Sequence, residues 1–501
     1  MKKTIVLIIV LLFFTSFPPA LAELKTFIKE YTYQASEIDS KITCRAIALE
    51  QVKRLLLEEL GTYLVSRTEV QDFQLTKDKI TTLTAGIVSA KIVSEKWDGV
   101  NYYLKAKLSS DPSEVAISLD KLRNDDQKTK DLEETRKRAY EYAKEIERLK
   151  NELEIARVKN PNQLLDATKK QKYNAAVDGL SATDLFYVAF QLQSNGKHKE
   201  AIDKYSEAIT KRPKLIEIYY FNRGLAYYGF GDKRRAIEDY SKAIEINPKL
   251  AIGYNNRGLI YADLGDYRQA IVDFEKAIEI NPKHFRAYVN LGSAHADMGD
   301  KIKAIEYYNI AIKINPKYDQ AYYLAGDTYA DLGNKSRAIE YYSNAIEINP
   351  KHLEAHINRG IVYLDLGDRY GAIKNFTQAT EINPKYDDAY YNRGIAYAGL
   401  GETQRAIEDY SKAIEINPRH DDAYGMRGNA YVDMGDFQMA INNYSKAIEI
   451  NPQNSTTYFN RGQGYSDLGN EQKAIIDIKR AAELGYKPAQ DMLDKRGILW
   501  H

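Results

Sequence analysis

A single cysteine, Cys44, occurs in 501 residues. That excludes an internal disulfide and any metal centre built on several thiolates. The seven histidines are scattered and show no metal-ligand spacing. A dominant charge is also missing: 71 basic side chains stand against 70 acidic ones. No net positive field is available to hold nucleic acid or an anionic membrane surface. The chain contains no glycine-rich phosphate loop and no nucleophile–base pair with local support. The sequence therefore points to no catalytic residue, no metal and no cofactor.

Tyrosine is what the chain has in excess, at 40 residues, and a surplus of this kind arises when a repeated unit carries it at fixed positions. A chain of this length divides into domains. The first 22 residues have the pattern of a cleaved targeting segment: Lys2 and Lys3, an apolar run from Ile5 to Phe14, and Ala20-Leu21-Ala22 as a small-x-small cleavage pattern. Ten apolar residues are too few to span a bilayer as a helix. The expectation is a periplasmic or secreted chain beginning at Glu23, with membrane contact only during targeting.

Residues 23–120 read as a small α+β domain. "TFIKEYTYQAS" is expected as a strand, Asp39 to Leu64 as a long helix, "RTEVQDFQLT" as a second strand and "KDKITTLTAGIV" as a short helix. Asp98-Gly99 between two β-rich runs signals a hairpin. Cys44 lies near the apolar side of the long helix and reads as a small buried hydrophobe. On "GIVSAKIVSEKWDGVNYYLKAKL" the segment resembles the small N-terminal domain of flagellar assembly T-type periplasmic proteins and related envelope lipoproteins.

In 121–160 the apolar residues Leu132, Ala139, Ile146 and Leu153 fall seven apart, and Tyr142, Leu149 and Ala156 fill a second seam. This is either a coiled coil, which would make a homo-oligomer through 121–158, or a spacer helix folded back on its neighbours. A linker helix is expected over 161–181.

From residue 182 a period of 34 takes over, marked by Asn-Pro pairs from Asn247-Pro248 to Asn451-Pro452. Tyr390, Gly394 and Tyr397 lie at i, i+4 and i+7 on one helix face; Ala406, Tyr410 and Ala413 do the same on a second helix. Gly401 permits the turn between them and Pro418 ends the second helix. This pattern of tyrosine, glycine, tyrosine, alanine, aromatic, alanine and proline resembles the tetratricopeptide repeat. Nine units cover 182–488, with atypical first and last units, and 489–501 forms a C-terminal cap. The resemblance implies a mainly α fold, a right-handed α–α superhelix whose first helices line a concave groove.

Arginine stands immediately before the repeat glycine in six units, at Arg223, Arg257, Arg359, Arg393, Arg427 and Arg461. Sixteen residues later those units carry Asp239, Asp273, Asn375, Asp409, Asn443 and Asp477. Units without the arginine have Lys204, Tyr307 and Tyr341 there. The correlation predicts a contact between the two helices of one unit, because a guanidinium near a helix seam needs an acceptor.

Two residues before the glycine, asparagine recurs at Asn222, Asn256, Asn290, Asn358, Asn392 and Asn460. An asparagine side chain matches both the C=O and the N–H of an extended peptide. The row resembles the asparagine ladder in the repeat domain of the O-linked N-acetylglucosamine transferases, although asparagine is common at this site of the repeat without a ligand. Tyr323 and Tyr391 would add aromatic surface, and Asp297, Asp331 and Asp365 an acidic rim. The expected role is a non-enzymatic scaffold for a protein or peptide. A structural envelope component that assembles through the coiled coil and the N-terminal domain is the alternative.

Overall fold

The computed structural model describes residues 24–35, 39–65, 75–123, 126–159 and 167–500. The targeting segment and most of the 67–76 strand expectation lie outside the described residues. The chain divides into two compact units, Met1–Ile260 and Tyr261–His501. It is mainly helical, with 23 helices among the described residues and one three-stranded sheet.

In the first unit, strands β1 (Lys25–Gln34), β2 (Lys91–Trp97) and β3 (Asn101–Ser110) form an antiparallel sheet in the order β1-β3-β2. Alternation along β3 buries Tyr102, Leu104, Ala106 and Leu108 on one face. Helix α1 (Lys41–Val65) packs on the sheet through a stripe four residues apart: Cys44, Ala48, Val52, Leu56, Leu60 and Leu64, all fully buried. Cys44 is thus core, and burial, with Asp39 nearby, pushes its thiol up to about 11. The β2–β3 turn forms at the expected place. Gly99 takes a φ of +98°, and Asp98 Oδ1 accepts from the N–H groups of Val100 (2.9 Å) and Asn101 (2.6 Å). The Asn101 N–H, then that of Val100, hold the Asp98 carboxyl down to about 2.

Helices α2 (Lys77–Ala85), α3 (Pro112–Arg123), α4 (Asp126–Lys159) and α5 (Ala167–Ser194) follow, then α6 (His198–Thr210), α7 (Ile216–Phe230), α8 (Lys233–Ile246) and α9 (Ala251–Asp263). One core runs through Phe27, Leu56, Leu104, Leu119 and Leu132 to Phe186, Phe190, Tyr205 and Tyr219. The sheet and the first helical pairs therefore share their apolar interior. Nor does a break fall at 181/182: the expected linker helix and the opening helix of the first repeat are a single helix, α5.

The coiled-coil expectation is corrected here. Ala139, Tyr142, Ile146, Leu149 and Leu153 of α4 pack on Tyr173, Ala176, Val177 and Leu180 of α5, and on Ala46 and Ile47 of α1. A Glu152–Lys169 ion pair of 3.5 Å and the seating of Tyr142 against Gly179 set α4 and α5 antiparallel. All the apolar seam residues but Ala156, which is exposed, are thus consumed inside the chain. Thr135, a polar residue seven before Tyr142 in the second seam, is buried and donates to the Asp131 carbonyl at 2.7 Å.

The second unit is a run of helical pairs: α10 (Tyr267–Ile280), α11 (Phe285–Asp297), α12 (Lys301–Ile314), α13 (Asp319–Asp331), α14 (Lys335–Ile348), α15 (Leu353–Asp365), α16 (Arg369–Ile382), α17 (Asp387–Gly399), α18 (Thr403–Ile416), α19 (Asp421–Asp433), α20 (Phe437–Ile450), α21 (Ser455–Asp467), α22 (Glu471–Glu483) and the closing α23 (Lys487–Lys495). The repeats use the same stops, except that the last one's second helix ends at Leu484 and Gly485 instead of at an asparagine. At the end of α17, Gly401 takes φ +75°, a left-handed conformation that other residues resist. At the end of α18, the Asn417 N–H donates to Ala413 O at 2.8 Å, while its side-chain Oδ1 accepts from Arg419 N at 3.1 Å. Within the pair, a Cβ on Gly394 would stand 2.6 Å from the Tyr410 ring, so only glycine lets α17 and α18 close. Ala489 and Leu493 of α23 cover Ile478, Ala481 and Ala482 and end the array.

Candidate functional site

Between the two helices of a repeat the arginines meet the acceptors that the sequence pairs with them. Arg393 donates to both Asp409 oxygens at 2.7 Å, Arg223 to those of Asp239 at 2.7 and 2.8 Å, and Arg461 to those of Asp477 at 2.7 and 2.9 Å. Arg359 and Arg427 use single bonds of 2.8 Å to Asn375 and Asn443. The acceptor's charge matters electrostatically. Its hydrogen bond with Asp409 holds Arg393 above the ordinary arginine value, whereas burial lowers Arg359 and Arg427, whose amide partners carry no compensating charge.

The pairing with the acceptor is not the only contact. Each guanidinium also reaches back to a hydroxyl of the preceding repeat: Arg223 to Ser206, Arg257 to Ser241, Arg359 to Ser343 and Arg427 to Ser411, all at 2.9 Å, and Arg461 to Ser445 at 3.1 Å. Arg393 finds Thr377 and Thr380 at 3.2 Å. In 319–352, one of the three repeats without arginine, Tyr341 replaces the link by donating to Asn309 of the preceding repeat at 2.7 Å. These arginines are framework, not a ligand stripe.

In the second unit the first helices of successive repeats, α11, α13, α15, α17, α19 and α21, touch one another in rank. Asn290, Asn358, Asn392 and Asn460 lie half-buried along that rank, with Tyr323 and Tyr391 also half-buried. Their side chains are tied down from one side. Asn358 Nδ2 donates to Asp327 (2.7 Å) and to the Tyr323 hydroxyl (3.3 Å), Asn392 Nδ2 to the Asp388 carbonyl (2.8 Å), and Asn460 Nδ2 to Asn429 (3.2 Å). In the first unit Asn256 is half-buried and accepts from Asn255 at 3.2 Å.

Asn222 is a correction. It is 1% exposed and donates to Asp131 of α4 and to Ile218 O, both at 2.9 Å. Helix α4 lies over it, so Asn222 is closed to a peptide. The acidic rim also changes character: Asp331 pairs with Lys301 at 3.0 Å and Asp365 with Lys335 at 3.4 Å, each lysine belonging to the preceding repeat.

Under the rank runs a row of tyrosines from the second helices. The Tyr342 hydroxyl donates to Asp327 at 2.6 Å and that of Tyr444 to Asn429 at 2.7 Å; that of Tyr308 meets Ser293 at 3.1 Å. Tyr410 is fully buried, and its hydroxyl has no hydrogen-bond partner among the described residues. Its repeat carries Ile395, where Tyr342 and Tyr444 find Asp327 and Asn429, and the next carries Met426, where most repeats have asparagine. Rings stack above this row: Tyr323 on His352 at 4.9 Å and Tyr391 on His420 at 4.8 Å between centroids. Asp387, Asp388 and His420 bring their donor atoms within 4.8 Å of one another. His420 Nδ1 accepts the Ala423 N–H at 3.4 Å, so Nε2 carries the ring proton and faces Asp388 at 3.6 Å. With its lone pair engaged, the imidazole is a poor metal ligand.

Family models described as tetratricopeptide repeat match residues 218–250, 251–284, 285–318, 319–352, 387–420, 410–442 and 455–484, and one described as TPR repeat matches 365–401 and 428–469. The chain belongs to the tetratricopeptide repeat family. Among curated relatives, the photosystem I assembly protein Ycf3 of Synechococcus sp. (strain CC9902) is 33% identical over 91 residues, 17% of this chain and 44% of that protein. The Ycf3 of Synechococcus elongatus (strain ATCC 33912 / PCC 7942 / FACHB-805) is 30% identical over 97 residues, 19% and 50%. The chain thus spans half or less of the curated relatives it matches. Similar solved structures include MamA, at 30% identity over 33% of this chain and 96% of that one with a TM-score of 0.32. YrrB, described as a TPR protein with an unusual peptide-binding site, is 28% identical over 37% and 96%, with a TM-score of 0.33.

Against the tetratricopeptide pattern, the residues that sequence reasoning missed were Asp327, His352, Tyr410 and His420. The column immediately after the repeat glycine carries the signal. It reads Leu225, Leu259, Ser293, Asp327, Ile361, Ile395, Asn429 and Gln463: polar above Tyr308, Tyr342 and Tyr444, apolar above Phe274 and Phe376, and apolar also above Tyr240 and Tyr410.

Proposed function

We propose that the protein is an exported, non-enzymatic scaffold that holds an extended segment of a partner protein along the first-helix face of its second unit. One observation carries this reading: Asn290, Asn358, Asn392 and Asn460 recur at one register on helices that touch in rank, half-exposed beside Tyr323 and Tyr391. A row of amides offers donors and acceptors at intervals along a groove, which suits a peptide backbone better than a compact ligand. The Ycf3 relatives, named as assembly proteins, agree with a scaffold role.

The test is photo-crosslinking in the native cell from an unnatural residue at Asn392, with exposed Glu408 on α18 as the comparison site. Crosslinks to one discrete partner segment from position 392 are expected. Crosslinks from position 408 alone would move the binding surface to the second helices. Each asparagine–backbone bond contributes only about 0.5–1.5 kcal/mol. Replacing Asn290, Asn392 and Asn460 together by alanine should then weaken the captured segment by about 1.5–4.5 kcal/mol on the same scale.

Export rests on Lys2-Lys3, the Ile5–Phe14 run and Ala20-Leu21-Ala22. No helix among the described residues is long and apolar enough to cross a membrane. Mass spectrometry of the protein from its native cell should find Glu23 at the amino terminus. A chain that keeps residues 1–22 would overturn this part.

A further inference from the structure

The first-helix face of the second unit gathers acidic groups around its aromatic rings. Tyr391 lies against His420 at 4.8 Å and against Tyr410 at 6.1 Å, and the charges acting most strongly on its hydroxyl are those of Asp422, Asp388 and Asp421. Two repeats earlier the arrangement recurs. Tyr323 lies against His352 at 4.9 Å and Tyr342 at 6.1 Å, beside Asp327 and Glu354. Asp388, Asp422 and Glu354 are exposed, and Asp327 is half-buried.

A carboxylate beside the face of an electron-rich ring is a receptor for a cation, since both attract positive charge and the ring does so without needing hydration. A separate observation also points to a ligand. Tyr410 is completely buried, yet its hydroxyl lacks a partner among the described residues. Two repeats earlier and one repeat later the equivalent hydroxyls, of Tyr342 and Tyr444, bond to Asp327 and Asn429 on the first-helix face. At the corresponding places around Tyr410, Ile395 and flexible Met426 pack in its cluster instead. A donor entering beside Met426 would complete it.

We infer that this face binds an extended segment through two of its lysine or arginine side chains, one seated among Tyr391, Asp388 and Asp422, the other among Tyr323, Asp327 and Glu354. The inference rests on the peptide reading above and adds the chemistry of the partner. Neighbouring helices pack about 10 Å apart, so sites two repeats apart are separated by roughly 20 Å. An extended chain rises about 3.3 Å per residue and covers that distance in about six residues.

The experiment uses the full-length protein and an array of twelve-residue peptides with randomised flanks. Sets carry two lysines three, six or nine residues apart, two glutamates at the same spacings, or no charge. Lysine pairs should be retained, best at six. Asp388→Asn with Asp422→Asn, and separately Asp327→Asn, should each lower that affinity about tenfold. Because Asp388 and Asp422 are exposed, their variant keeps the fold, and circular dichroism verifies it. Equal retention of glutamate or uncharged peptides would overturn the cationic inference while leaving the peptide reading intact. Retention of no peptide at all would overturn both.

Discussion

Arg393 grips Asp409 through two parallel hydrogen bonds of 2.7 Å while its remaining nitrogen reaches Thr377 and Thr380 in the repeat before. One side chain thus closes its own helical pair and joins it to its neighbour. The two partners are 16% and 9% exposed, so this is a mostly dry pair, with the guanidinium also lying 5.4 Å over the Tyr390 ring. Removing the carboxylate leaves a guanidinium without its counter-charge. Asp409→Ala should cost about 3–5 kcal/mol. The chain itself carries an apolar–tyrosine alternative at Leu291 and Tyr307. Arg393→Leu with Asp409→Tyr should therefore recover much of the loss, less the inter-repeat bonds. Denaturant unfolding of the four proteins of the cycle measures this, and strictly additive losses would deny the coupling.

The α4–α5 packing makes an opposite prediction to a coiled coil. Lysine at both Ile146 and Leu149 places charge in the interior formed with Tyr173, Val177 and Leu180. Unit one should lose stability and become protease-sensitive between α4 and α5, while the mass by light scattering stays the same. A drop in mass by an integer factor would restore self-association through these seams.

Glu50 gives the first unit a pH dependence. Burial, and then the charge of Asp184, push its carboxyl up to about 7, with Lys53 partly compensating. Lys53 itself is held by Asp184 at 2.9 Å. A carboxyl raised above its unfolded value binds its proton more tightly in the folded state. Its contribution is therefore fully present below about 4.5 and is lost as the pH rises through about 7. Glu50→Gln should raise the melting temperature relative to the parent at pH 8, by the equivalent of about 1–3 kcal/mol, and have little effect near pH 4.5. A gain independent of pH would show that ionisation is not the cause.

The face of the array can also be tested through its spacing. Gly394→Ala would bring a methyl within 2.6 Å of the Tyr410 ring. Overpacking of this kind costs about 1–3 kcal/mol. The accompanying Tyr410→Leu substitution should relieve it, as read by thermal unfolding of the single and double variants. A single variant as stable as the parent would mean that the two helices separate freely.

How much was legible in the sequence follows from how each feature is encoded. The repeat array announces itself because the alanine at Ala406 recurs in every unit and the residues at Tyr390 and Gly394 in most, at helical spacing, and each occurrence reports on the others. The same internal comparison exposed the Arg–Asp pairing, since Leu291 and Ala325 change together with Tyr307 and Tyr341. The links from Arg427 to Ser411 or from Arg461 to Ser445 were encoded the same way but overlooked: the hydroxyl gives way to Glu275 and Asn309 just before the repeats that carry Leu291 and Ala325. The seams of α4 show the reverse limit. Ile146 and Leu149 have coiled-coil spacing, but spacing alone cannot distinguish a partner in another molecule from α5 in the same chain. Asn222 misled for a related reason: its column is shared with Asn392, while the Asp131 that covers it lies 91 residues earlier.

That cover has a practical consequence for where the chain can be cut. Asp131 meets Asn222, the Lys214 N–H donates to Tyr142, and Tyr205 and Tyr219 share an interior with Leu104 and Leu132. A fragment beginning at residue 182, where the repeats begin by sequence, would split α5 and strip the lid from α7. It would display an oily, half-empty flank on its leading edge and stick to itself or to whatever is offered. Binding seen with such a fragment would report the wound rather than the groove.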